Sequence, residues 1–70
     1  MIDLMTLKPG DRLLLQKGIV ADVTENMGDG QWVEVRLIEV PERPADVGAV
    51  ELCHAQDIVK VLSADRKSVV

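Results

Sequence analysis

The run Gln31–Val40, QWVEVRLIEV, is the reading on which the fold turns. It is the longest stretch of strand-forming residues in the chain, and it holds the only Phe, Tyr or Trp, Trp32. Successive side chains of a strand point to opposite faces. Val33, Val35 and Leu37 therefore share one side, and Trp32, Glu34, Arg36, Ile38 and Val40 the other. Such a strand serves as the central member of a small sheet, paired with the segments before and after it.

On the N-terminal side, Asn26-Met27-Gly28-Asp29-Gly30 is the strongest turn signal in the chain. Its glycines, Asn and Asp supply the left-handed conformations that a hairpin needs. Before it, Ile19, Ala21 and Val23 alternate with Val20, Asp22 and Thr24, as in a half-buried strand. The two strands are expected to pair antiparallel. Further upstream, Pro9-Gly10 predicts a type II turn, followed by a strand through Leu13–Gln16 that Lys17-Gly18 ends. Met1–Leu7 reads as a weakly patterned lead-in, at most a short edge segment through Ile2, Leu4 and Met5.

On the C-terminal side, Pro41 and Pro44 cannot donate to a ladder, so Pro41–Gly48 is a loop. Ala49–Cys53 reads as a fourth strand, with Val50 and Leu52 on one face and Glu51 and Cys53 on the other. His54–Asp57 fits a single helical turn, and Ile58–Leu62, rich in β-branched residues, a fifth strand. Residues 1–62 form one domain, and Ser63–Val70, without pattern, a flexible tail. The expected inward set is Leu13, Leu15, Ile19, Ala21, Val23, Val33, Val35, Leu37, Val50, Leu52, Val59 and Val61.

Composition narrows the function classes. A chain of 70 residues is one domain, and its stability is expected to be a few kcal/mol. One cysteine and one histidine provide neither a disulfide nor a metal staple, so the 47% apolar content must hold the fold. The net charge is −4; residues 1–62 hold six bases against eleven acids. An acidic surface repels phosphate backbones, which argues against nucleic acid as the main partner. No apolar run is long enough to span a membrane, and Met1–Asp11 lacks the basic start and apolar stretch of a signal peptide. A single thiol suits a reducing compartment, so a cytoplasmic location is expected.

The order is turn (Leu7-Lys8-Pro9-Gly10-Asp11), hairpin, long strand with Trp32 near its start, fourth strand, then Ala55-Gln56-Asp57-Ile58-Val59 leading into the last strand. This layout resembles an SH3-like barrel, with Tudor-like and KOW-like variants nearest because the first loop is short. The resemblance covers residues 7–62 and implies an all-β, five-stranded barrel with one short helical turn before the last strand. It carries over no binding residue. Methyl-reading Tudor domains need a cage of several aromatics and SH3 domains an aromatic groove, and Trp32 stands alone. KOW-like modules bind RNA or the transcription machinery through basic loops, whereas these loops hold Lys17, or Asn26–Gly30 with one acid.

Cys53-His54 pairs a thiol with an imidazole, as cysteine nucleophiles do, but neighbours on a strand point to opposite faces. The reading preferred is a half-buried cysteine and a solvated histidine. No catalytic residue, metal site or cofactor is expected. The acids are spread, and a glycine run followed by a strand lacks the helix that cradles phosphate. Asp29 is expected in its turn for backbone reasons.

Trp32 either covers an open end of the core or stands partly exposed as an anchor for a partner. Its face also carries Arg36, Ile38 and Val40, with Leu14, Val20 and Leu62 on neighbouring strands. Together they would form an apolar patch of the kind that marks contact with a protein partner or a second copy, through the sheet face or a strand edge. The sequence therefore implies a small non-enzymatic interaction module, prokaryotic in style, with Trp32, Arg36, Ile38 and Val40 as the binding candidates. The alternative is a nucleic-acid-associated KOW-like barrel, in which Lys8, Arg12, Lys17 and Lys60 would have to converge.

Overall fold

The computed structural model describes residues 4–62. Five strands, β1 (Arg12–Leu15), β2 (Val20–Asn26), β3 (Trp32–Glu39), β4 (Val50–His54) and β5 (Ile58–Val61), form one antiparallel sheet in the order β4-β3-β2-β1-β5. No α-helix occurs among the described residues; short 3-10 turns cover Leu4–Thr6, Gln16–Gly18, Pro44–Asp46 and Ala55–Asp57. The last of these precedes β5 where the sequence places a helical turn. Ile2 and the tail Ser63–Val70 lie outside the described residues.

The central hairpin is fixed by its turn chemistry. The Gly28 N–H donates to Asn26 Oδ1 at 2.9 Å, and the N–H groups of Gln31 and Trp32 donate to Asp29 Oδ1 at 2.8 and 3.0 Å. Those two backbone donors hold the exposed Asp29 carboxyl below its usual range. At Lys8–Asp11, the Asp11 N–H donates to the Lys8 carbonyl at 3.0 Å while Gly10 takes φ +97°, as a type II turn requires.

Side chains from both edge strands, Cys53 of β4 and Ile58 of β5, meet in one core with Leu13, Leu15, Ala21, Val23, Val33, Val35 and Leu37. The sheet therefore curls around its inner face, although β4 and β5 are not paired with each other. The lead-in is part of this core: Leu4 and Leu7 are 1% and 5% exposed. Asn26 Nδ2 donates to the carbonyls of Leu4 and Leu7 at 2.7 and 3.0 Å, pinning the segment across one end of the sheet.

Strict alternation fails at three bulges, each of which reverses which parity faces the core. Thr24 has no partner between Val23↔Val35 and Glu25↔Glu34, which turns Asn26 inward. Ile38 is skipped between Ala21↔Leu37 and Val20↔Glu39, so Val40 enters the core at 4% exposure and does not share the outer face with Trp32. Val59 is skipped between Leu14↔Lys60 and Leu15↔Ile58, so Ile58 is buried and Val59 is exposed. Ile19 and Val61 pack against the core as expected.

The fourth strand is a correction of another kind. Its register, Val33↔Cys53, Val35↔Glu51 and Arg36↔Val50, places Glu51 and Cys53 on the inner side. Val50 and Leu52, expected inside, are 49% and 58% exposed.

Candidate functional site

Cross-strand rows build the outer face of the β3–β4 end. Trp32 lies opposite His54, Glu34 opposite Leu52, and Arg36 opposite Val50. The Trp32 and His54 rings meet edge to face, with centroids 4.8 Å apart. His54 is held by its own backbone role, since Nδ1 accepts from the Gln56 N–H at 3.0 Å and caps the 3-10 turn Ala55–Asp57. With Nδ1 accepting, the neutral ring carries its proton on Nε2. Trp32 is 37% exposed and on the outer face, so it does not cover the core.

Glu34 is drawn back into the sheet by Thr24, whose Oγ1 lies 2.7 Å from Glu34 Oε1 and 3.1 Å from the Glu34 carbonyl. Across the next row, Arg12 and Asp22 form a two-point ion pair at 2.7 and 3.1 Å. Asp22 also lies opposite Arg36, which is exposed and borders Val50. Besides Arg36, what remains open at this end is apolar: Trp32, then Leu52 and Val50 along β4.

Among the predicted site residues, Trp32 and Arg36 thus share one surface, Ile38 is half-buried at a bulge, and Val40 is in the core. Leu14, Val20 and Leu62, expected to extend the patch, are half-buried. Val50 and Leu52 were placed in the core by alternation and so were missed as surface residues. The signal that finds them is Cys53. Free cysteine is among the most buried residue types, and taking it as the inward residue turns Val50 and Leu52 out.

β4 is also an edge strand, with no strand on its other side among the described residues. The Ala55 N–H donates to the Gln31 carbonyl at 3.0 Å, and the Leu37 N–H donates to the Ala49 carbonyl at 2.8 Å. In an antiparallel ladder the direction alternates, so the backbone groups of Glu51 and Cys53 also face β3. Those of Val50 and Leu52 point away from the sheet.

On the inner side of that edge the curled sheet leaves a groove of about 230 Å³, with Leu15, Ile19, Val35, Leu37 and Cys53 in its lining and Leu52 at its border on the edge itself. Its charged lining is Glu51 and Asp57, both close to Cys53, with Lys17 from the β1–β2 connection and Arg43 from the β3–β4 connection. A second hollow of about 300 Å³, beside Val40 and Glu42, shares Lys17, Ile19 and Arg43 with it. Burial pushes the Cys53 thiol up to about 11, and the Asp57 and Glu51 carboxylates add to the shift. Cys53 is 5% exposed and His54 lies on the opposite face, so thiol and imidazole diverge. Among the described residues no three His, Cys, Asp or Glu side chains converge as metal ligands would, and no helix is long and apolar enough to cross a membrane.

Neither family models nor curated proteins nor solved structures give a match to this chain.

Proposed function

We propose that this chain is a small non-enzymatic protein-interaction module of SH3-like barrel layout, binding through the β3–β4 end of its outer face. The observation that carries this reading is the inverted pattern of β4, whose apolar residues Val50 and Leu52 face solvent beside Trp32 while Glu51 faces the groove. Sequences that specify a fold put apolar residues inside; local violations concentrate at functional sites. An exposed apolar cluster with an aromatic and an arginine at its border has the composition of an interface centre. The SH3-like layout is supported by the order β4-β3-β2-β1-β5 and by the 3-10 turn ahead of β5, with β4 and β5 flanking the open seam. The Arg12–Asp22 pairing and the net charge of −4 count against the nucleic-acid alternative.

The test is affinity capture from the native cell with the wild-type chain and with a Val50→Lys, Leu52→Lys double variant. A defined protein retained by the first and lost from the second is the expected outcome. Identical captured sets, or retention of RNA that is lost with salt, would overturn it.

A further inference from the structure

Two features of β4 lie on opposite sides of one free edge. Val50 and Leu52 project to the outer face, and their backbone N–H and C=O groups point away from the sheet. On the inner side, Glu51 and Asp57 border an apolar-floored groove, and neither carboxylate is in an ion pair among the described residues. A strand laid along this edge would alternate its side chains between the two sides. One parity would meet Val50 and Leu52. The other would lie over the groove, where a long cationic side chain packs its stem on Leu15, Val35 and Leu37 and brings its charge to Glu51 and Asp57.

We propose that the free edge of β4 takes up an extended peptide segment of a partner protein as an added strand, with apolar residues on the Val50–Leu52 side alternating with lysine or arginine on the groove side. This deepens the interaction reading above and rests on it. Main-chain hydrogen bonds to the edge supply affinity, and the alternating pattern supplies specificity. Of the two cations that also line the groove, Arg43 is paired with Asp46 at 3.1 Å, and Lys17 is in no ion pair among the described residues. A second copy of the chain is the poorer occupant. Its own Glu51 and Asp57 would crowd the same acidic lip.

The experiment titrates the full chain with three capped peptides of about strand length: alternating valine and lysine, alternating valine and glutamate, and the valine–lysine composition in two blocks. Trp32 emission reports binding, and exchange of the Val50 and Leu52 amides reports strand addition. Expected are binding of the alternating lysine peptide alone, slowed exchange at both amides, and weakening of about tenfold in a Glu51→Lys, Asp57→Lys variant, which in turn gains the glutamate peptide. Both substitutions are at exposed sites, so the variant stays folded. Equal response to the block peptide, unchanged exchange, indifference to the charge reversal, or a chain already sedimenting as a dimer with those amides protected would each overturn the proposal. If the lysine peptide fails while cellular capture remains sensitive to Val50→Lys, Leu52→Lys, the edge proposal falls and the interaction reading stands.

Discussion

Leu37 and Leu52 carry the same side chain and differ in what holds it. Leu37 is 3% exposed among core residues, whereas Leu52 is 58% exposed on an edge strand. Leu37→Ala is expected to cost about 2–5 kcal/mol, a large part of what a domain this small has. Leu52→Ala should stay within about 0.5 kcal/mol. Urea midpoints of the two variants decide the matter, and equal losses would mean that β4 has the other face inward. Asn26 is a polar residue with a packing role. Asn26→Ala withdraws the donor from the carbonyls of Leu4 and Leu7 and should cost about 1–2 kcal/mol. Hydrogen exchange at Leu7, whose N–H donates to the Leu4 carbonyl at 3.0 Å, should accelerate more than exchange in β3.

At the scale of elements, the strands, the hairpin turn, the type II turn and the helical turn before β5 are all legible in the sequence, because local chemistry dictates each. The inward face of β3 is legible as far as Leu37 because its alternation is long. What is not legible is phase. A bulge is invisible to a period-2 reading, and those at Thr24, Ile38 and Val59 turn the half-buried Asn26 inward and bring Val40 and Ile58 into the core. In the five-residue strand VELCH the two apolar residues outvote a cysteine, yet the cysteine sets the face. The candidate surface was therefore half visible: Trp32 and Arg36 came from the strand pattern, while Val50 and Leu52 needed the register with β3. That register predicts tolerance where the sequence predicts collapse. Val59→Lys, and the double variant Val50→Lys, Leu52→Lys, should each change stability by no more than about 0.5 kcal/mol per site. Cys53→Lys, which buries a charge, should unfold the chain. Thermal melts of the three proteins check this directly.

For the whole molecule, the one strongly shifted group among the described residues ties stability to alkaline pH. Cys53 is moved from an ordinary value of 9.0 up to about 11, first by burial and then by the Asp57 and Glu51 carboxylates. Well below pH 9.0 the thiol is protonated in both folded and unfolded chains, and its contribution is constant. As pH rises from there, the unfolded chain ionises its thiol while the folded chain does not. Unfolding then releases a proton, so stability is lost progressively up to the folded value of about 11 and levels off beyond it. Other groups titrate in the same window, so the informative quantity is the difference between wild type and Cys53→Ala. That difference should be flat near neutral pH, begin to move against the wild type as pH approaches 9.0, and continue to do so up to about 11. Urea unfolding of both proteins across this window measures it, and alkylation of the native thiol should stay slow at pH values where a free cysteine reacts readily. A pH-independent difference, or fast native alkylation, would place Cys53 at the surface and with it reverse the face assignment of β4 on which the exposed Val50–Leu52 edge depends.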